Sequence, residues 1–390
     1  MNPNSDGLKI ELIDSEESFQ AIKEEWDQLI EESVNTSFYA TYPFVYTTWK
    51  HFRNENNHLF ILLVRRDATL AGIAPFRIEI LKEGNIYPLR LIRFIAEWGG
   101  GDKPSIVTTE KPDLVWNSIF QFLSKEFTQW DGIWLEEQPA NSPILNQRFF
   151  RSIWYSARKV PQVTSYYISI TGTWEEYLKT RGKDTQRKWN KSRKNLFTLP
   201  EEVYFQHVED PETLPKALER YINIEQSGWK NNHDFSVGGS EKNIRFYEEL
   251  LNNLAQTKMV SMLFLMSGTT DIAAAILYKH KSTEYGAHIT YRPIYAKYSP
   301  GVILTTELLK TLFGTHYKEF DFLGFRNNEK NTFKKNSSTG SRQTDTILVN
   351  KRNFRMLLFY AGNRLKTLRR KVVRMMTGHK ASEQAQFTEQ

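Results

Sequence analysis

The chain of 390 residues contains no cysteine, which excludes a disulfide framework, thiolate catalysis and cysteine-rich metal sites. No run of 18 or more apolar residues occurs, so no membrane-crossing helix is expected. Met1 to Lys9 is polar and lacks the basic start and apolar run of a secretory signal, so the expected location is cytoplasmic. The eight histidines are scattered without a His-x-x-x-His pair, and no metal is expected. Neither a P-loop nor a Gly-x-Ser-x-Gly elbow is present, which removes two common routes to phosphoryl and acyl chemistry.

What remains is a globular composition, 40% hydrophobic and 25% charged, in a chain long enough for two cores. Lys and Arg (52) exceed Asp and Glu (45), giving a net charge of +7. Such an excess suits an anionic partner: a phosphorylated cofactor, a nucleotide-linked substrate, RNA or an anionic lipid surface. The charge is uneven: residues 1–36 are acidic, whereas 179–194 and 351–380 are strongly basic. The aromatic share of 14%, with 10 Trp, can supply stacking surfaces or simply fill two cores.

Hydrophobic periodicity divides the chain into two similar series. In the first, an amphipathic helix at 15–32 precedes apolar runs at 59–64 and 71–80, split by Arg65-Arg66-Asp67 as in a hairpin. A strand at 91–96, a helix at 112–127 and a short strand at 132–136 follow. The second series opens with helices at 174–178, 188–196, 212–225 and 241–256. Strands at 262–266, 272–278 and 284–290 come next, then a helix from Ser299 to Phe313 and a strand at 320–323. The order repeats although the residues barely match. A boundary is expected near 155–168, where an Arg/Lys-rich stretch and Pro161 interrupt the pattern. The fold class expected is α/β: two tandem domains with mixed, mostly antiparallel sheets flanked by helices, packed around a cleft.

The sharpest local signal is Lys297-Tyr298-Ser299-Pro300-Gly301-Val302 at a helix start. Ser299 reads as an N-cap and Pro300 as the first helical residue. First-turn amides can hold an anion, and a glycine at the tip lets a phosphate approach the backbone; an ordinary cap would look the same. In the basic segment, Arg187, Lys191 and Lys194 share a helical face. That face would meet phosphates or tRNA, or be solvated. Candidate bases are Glu225 at a helix end, His288 on a strand and Asp321 between two phenylalanines. By period two, His288 faces away from Tyr285, Ala287 and Ile289.

From Tyr166 to Phe333 the chain resembles the GNAT-related acetyltransferase domain of CelD-type polysaccharide-biosynthesis proteins. The pieces in register are basic Arg181–Arg193, Glu225-Gln226-Ser227-Gly228-Trp229-Lys230, Phe246-Tyr247-Glu248-Glu249-Leu250, Tyr298-Ser299-Pro300-Gly301 and Phe320-Asp321-Phe322-Leu323-Gly324 with Glu329-Lys330. It is similar, more distantly, to the Fem-type aminoacyltransferases. The resemblance implies a GNAT-type N- or O-acyltransferase whose donor is acyl-CoA, acetyl-CoA in the first instance. Lys297, Tyr298, Ser299, Gly301, Val302 and Arg187 would hold the cofactor, while Trp229, Lys230 and Lys330 would hold the acceptor. Two departures stand out. The usual loop has a basic residue or Gln and two glycines, where here only Lys297 and Gly301 serve; and Glu329 stands where the family commonly has Tyr.

The expected domains are a supporting unit at 1–160, the acyltransferase at 161–350, and a basic amphipathic helix with a polar tail at 351–390. That helix would lie on an anionic membrane surface, peripheral on its inner face, or dock on the body of the protein. The acceptor would be a small molecule or a glycan of the cell envelope. Alternatives are a Fem-like enzyme using aminoacyl-tRNA and a non-catalytic accessory protein of polysaccharide synthesis. No DNA partner is expected.

Overall fold

The computed structural model describes residues 7–34, 36–82, 87–96, 105–140, 142–145, 150, 154–228, 236–324 and 332–377, with backbone alone at 162 and 368–377. The first half comprises β1 (Leu8–Ile13), α1 (Glu16–Ala21), α2 (Lys23–Glu32), α3 (Tyr42–Phe52), β2 (Asn57–Arg66), β3 (Thr69–Leu81), β4 (Leu89–Phe94), β5 (Val107–Thr108), α4 (Pro112–Lys125), β6 (Gly132–Pro139) and β7 (Tyr155–Ser169). The second comprises α5 (Trp174–Lys179), α6 (Lys183–Leu196), β8 (Val203–Val208), α7 (Leu214–Gln226), α8 (Glu241–Gln256), β9 (Val260–Ser267), β10 (Thr270–His280), β11 (Thr283–Tyr291), α9 (Pro300–Leu312), β12 (Glu319–Gly324), α10 (Thr332–Ser337) and β13 (Gly340–Lys351). A last helix, α11 (Phe354–Thr377), closes the chain's described part.

The strands form one sheet in the order β1-β2-β3-β4-β6-β13-β7-β12-β11-β10-β9-β8, with β5 paired to β3. Helices cover both faces, so strands in each half are apolar on both sides. In β2, Ile61 and Leu63 enter the core under α1–α3, while Phe60, Leu62 and Val64 enter the core under α4. In β9, Met262, Phe264 and Met266 face α7 and α8, whereas Leu263 and Leu265 face α9. That is why these strands read as unbroken apolar runs. Each fully buried Leu, Phe or Met stabilises the fold by about 1.5–3 kcal/mol.

The mixed α/β architecture with a repeated series is as expected, but its assembly differs. The two halves do not carry separate sheets around a cleft. β13 from the end of the second half lies between β6 and β7, and β7 from the end of the first pairs with β12, all antiparallel. Each half therefore lends its last strand to the other. On one face the core is also shared: Phe38, in a short turn of the first half, stacks on Tyr278 of β10 with centroids 4.2 Å apart.

The division at 160/161 accordingly falls inside β7, and Pro161 is not a linker residue. Proline cannot donate to a ladder, so a central strand containing it reads as a boundary. The structure accommodates it with a bulge in β7, where residues 162 and 163 together oppose Thr344 of β13. Thr344 donates its hydroxyl to the carbonyl of Val163 at 3.2 Å. The helix expected at 15–32 is in fact two, broken at Ile22 (φ −87°, ψ 5°).

Candidate functional site

β11 and β12 run parallel but pair only from Thr283–Tyr285 against Glu319–Asp321. Beyond Tyr285, β11 continues along β10 as far as Tyr291, and among the described residues β12 no longer pairs with it. The parting has a local cause. Leu323 is left-handed at φ +60°, a genuine outlier for leucine, and β12 slips against β7 between Asp321 and Gly324. The Asp321 carboxylate holds this kink: Oδ1 accepts from the Leu323 amide and from the Ser165 hydroxyl, each at 2.7 Å, and Oδ2 accepts from Arg342 at 2.8 Å. Asp321 is 2% exposed, and burial raises its pKa against the lowering pull of Arg342, Ser165 and Leu323. Its bonds thus go to neighbouring strands, which is a structural setting for a residue considered above as a base.

β11 carries a bulge at the same place. Gly286 pairs with Leu277 and His288 with Ile276, which leaves Ala287 as an extra residue. The bulge shifts the alternation by one position, returning His288 to the face of Tyr285 and α8 rather than the opposite one. There His288 Nε2 and the Tyr247 hydroxyl share a hydrogen bond of 3.0 Å. Tyr247 is fully buried, and burial, then Tyr278 and Glu225, hold its phenol well above the usual value. It therefore keeps its proton near neutrality. Glu225, the candidate base at the end of α7, is only 2% exposed; its Oε2 accepts from the Gly238 amide at 2.8 Å. Two of the three candidate bases, Glu225 and His288, thus gather around Tyr247, while Asp321 sits at the apex of the gap.

On the opposite face the Ser299–Val302 turn closes against the end of β11. A short 3-10 helix, Pro293–Tyr298, leads to Ser299 and then α9. Ser299 has left-handed backbone (φ +54°, ψ +53°) and its side chain does not cap the helix, contrary to the expected N-cap. Its carbonyl accepts from Val302 at 3.0 Å and Ile303 at 3.2 Å, so the Gly301 amide is the one left open at the tip. A methyl group added at Gly301 would lie 3.8 Å from both Ile289 Cγ2 and Tyr291 Cδ1. One added at Gly228, just past α7, would lie 3.8 Å from the Tyr291 carbonyl and 3.7 Å from Pro293 Cγ. The end of α7 and the start of α9 thus converge on the end of β11. Lys297 is exposed beside them, its ammonium 4.9 Å from the centroid of the half-buried Tyr298 ring.

Arg187 does not join this group. α6 runs antiparallel to α9: Arg193 bonds Glu307 at 2.6 Å, whereas Trp189 lies beside Trp174, which packs on Phe313 past the far end of α9. At 1.5 Å per residue, Arg187 lies roughly 20 Å along the axis from Ser299. It points to solvent and pairs with Asp184 at 2.9 Å. Trp229, Lys230, Glu329 and Lys330 lie outside the described residues, so the acceptor set expected from sequence is not placed. Ser165 and Arg342, which build the site from within, had no signal in the sequence; each looks like an ordinary strand residue, and Tyr247 stood only within the Phe246–Leu250 piece of the resemblance.

In the first half the equivalent strands, β4 and β6, pair only at Leu91–Gly132 and Ile92–Ile133 before parting. There Arg93 of β4 bonds Glu136 of β6 across the gap and Glu79 of β3 at 2.9 Å. Ion pairs lace this opening shut. Residues 99–104, the stretch of the first half that corresponds to the Ser299–Val302 turn, lie outside the described residues.

Residues 183–335, in the second half, match the family model of the acetyltransferase (GNAT) domain. No curated protein matches the chain. Among solved structures it is similar to that of FemX, with 10% identity, a TM-score of 0.57, and 83% of this chain and 95% of that one covered. A conserved protein of unknown function from Bacteroides thetaiotaomicron is similar at 8% identity and TM-score 0.55, over 88% of this chain and all of that one. The C-terminal domain of a putative lysylphosphatidylglycerol synthetase from Agrobacterium fabrum follows at 11% identity and TM-score 0.51, over 88% and 95%. At these identities the likeness is one of fold.

Proposed function

We propose that this chain is an acyl-CoA-dependent acyltransferase, with its reaction centre in the gap between β11 and β12. The observation that carries the reading is the convergence of the Ser299–Val302 turn on the end of β11, past its pairing with β12 and inside the span that matches the GNAT model. The donor would pass through the sheet where β11 and β12 part. The donor's phosphates would lie at the Gly301 amide and Lys297 on the α9 face, and the acyl end would reach through toward His288 on the α8 face. An amine or hydroxyl of the acceptor would attack the thioester carbonyl and form an amide or ester, with the coenzyme A thiol leaving. His288, held by Tyr247, is the candidate to take the acceptor's proton and return it to the leaving sulfur. A main-chain amide of β11 beyond Tyr285 would face the developing oxyanion. We assign the acceptor to the cell-envelope or polysaccharide class, from the resemblance described above.

A second reading, a Fem-like enzyme using aminoacyl-tRNA, is favoured by one feature: the exposed face of Arg187, Lys191 and Lys194, which the donor turn does not use. Thermal melts with coenzyme A, acetyl-CoA, longer acyl-CoAs and tRNA separate the two, because a ligand of the native state raises the melting point. The acyl-CoA reading expects a rise with acetyl-CoA or a longer homologue that is lost in Gly301→Glu. That variant places a carboxylate where a phosphate should sit, and should weaken donor affinity about 100-fold, some 3 kcal/mol, by calorimetry. Its fold should survive, since a side chain there meets only ordinary contacts. A rise with tRNA alone would instead support the second reading.

A further inference from the structure

Eleven large hydrophobic side chains are exposed among the described residues, and six of them gather at one place: Tyr87, Trp154, Phe354, Leu357, Tyr360 and Leu365. Four belong to α11. The other two stand at its foot: the Tyr87 and Phe354 rings are 6.3 Å apart, and the Trp154 carbonyl accepts from the Arg352 amide at 2.9 Å. Scattered exposed apolar residues need no explanation, but a cluster does.

Only the first turns of α11 dock. Met356 is buried with Leu89 and Leu91, and Phe359 packs beside Trp134. From Ala361 to Thr367 every residue except Gly362 is exposed, and a methyl group added at Gly362 would meet nothing within 4 Å. The helix therefore leaves the body of the protein. Phe354, Leu357, Ala361 and Leu365 follow one another at steps of three and four, and the sequence continues the spacing with Leu368 and Val372. By helical geometry Arg355, Lys366 and Arg369 flank this stripe on one side, Arg364 and Lys371 on the other. Seven Arg and Lys and no Asp or Glu occur between Phe354 and Thr377. Subtracting them from 52 leaves 45 basic against 45 acidic residues, so the helix accounts for the whole net charge of +7.

We propose that α11, with Tyr87 and Trp154 at its foot, binds the surface of an anionic lipid bilayer. Its apolar stripe would enter the acyl boundary and its basic flanks would meet the headgroups. It does not span the membrane: no described helix is long and apolar enough to cross one. The aromatic pair at the foot suits the interfacial zone, where rings with one polar end reside. A second copy of the chain is a poor occupant, since two stripes brought together would also bring two sets of seven positive charges together. Nucleic acid would engage the charge but leave the apolar stripe exposed. The proposal is independent of the acyl-transfer reading.

Flotation of the full chain with vesicles tests it, using phosphatidylcholine alone against equal parts phosphatidylcholine and phosphatidylglycerol. The protein should float with the anionic vesicles, bind the neutral ones at least about tenfold more weakly, and be released by high salt. Leu357→Glu with Leu365→Glu should lower binding to anionic vesicles about tenfold or more without changing the thermal melt, because both side chains already face solvent. Arg364→Gln with Lys366→Gln and Arg369→Gln should erase the preference for anionic lipid. Failure to float with anionic vesicles at low salt would overturn the proposal. So would binding unaffected by the leucine substitutions, their conversion of a dimer to a monomer in sedimentation, or their leaving a tighter RNA complex intact.

Discussion

At the scale of single residues, the site depends on a carboxylate that does not reach it. Asp321 ties the left-handed Leu323 to β7 and β13, so its exchange for Asn leaves Arg342 with Glu319 as its remaining carboxylate partner. Breaking a buried pair in this way costs about 3–5 kcal/mol. Asp321→Asn should show that loss in urea melts; an unchanged melt with turnover abolished would instead return Asp321 to the catalytic role. A second buried carboxylate, Glu284 on β11, is raised to about 7 by burial, against Lys279. Since its folded value lies above its unfolded one near 4.5, its neutral form favours the fold. The stability it contributes is whole below pH 4.5 and is lost as the pH rises through 7. His280, across the same hairpin, is lowered to about 4 by burial and by Lys281. Its contribution is present above pH 6.5 and is lost as the pH falls to 4, so between 4.5 and 6.5 the two slopes cancel. Glu284→Gln should therefore stabilise the protein by up to about 3 kcal/mol at pH 8 and hardly at all at pH 4.5. Equal shifts at the two pH values would refute the assignment.

At the scale of elements, the start of α9 departs from what its sequence suggests. Ser299 occupies the cap position, yet its left-handed backbone turns the hydroxyl away from the first-turn amides. Left-handed geometry costs a non-glycine residue about 1–2 kcal/mol, with no capping bond here to offset it. Ser299→Gly should thus raise stability by about 1 kcal/mol, whereas Ser299→Ala should cost less than the usual loss of a serine cap. Destabilisation by the glycine variant would show that the hydroxyl has a partner after all. The same element sets the donor turn, so acyl-CoA affinity should be measured beside the melts. β11 makes the complementary point: one extra residue at Ala287 decides which face of the sheet His288 serves.

At the scale of the whole molecule, strand exchange gives an approximate two-fold axis between β7 and β13. β6 and β12, equivalent in the two series, each contain one left-handed residue, Glu137 at φ +52° and Leu323 at φ +60°. The halves share this geometry but not the use of it, because the gap beside β6 is crossed by the Arg93–Glu136 pair. Exchange also makes the halves mutually dependent. A fragment ending in the exposed loop at Thr171 carries β7 without β12 or β13, and leaves β6 an open edge. Residues 1–171 and 172–390 expressed separately should give no cooperative melt, while co-expression should yield a stable complex. A cooperative melt of 172–390 alone would mean that β13 can find another place.

Length, periodicity and composition determined that this chain builds two similar series of strands and helices, because burial on both faces writes long apolar runs directly into β2, β3, β9 and β10. They also marked the Ser299–Val302 turn, by Pro-Gly ahead of a leucine-spaced helix, and α11 by its charge. Neither β7 nor β13 was legible: their neighbours come from opposite halves, and Pro161 in the middle of β7 resembles a break. Which face His288 takes, that Glu225 is buried, and that Asp321 bonds Ser165 and Arg342 were likewise settled only in three dimensions. Each depends on a bulge, a left-handed residue or a partner more than ten positions away. Local sequence sets propensity and pattern, whereas register slips and strand exchange are chosen by the packing of the whole sheet.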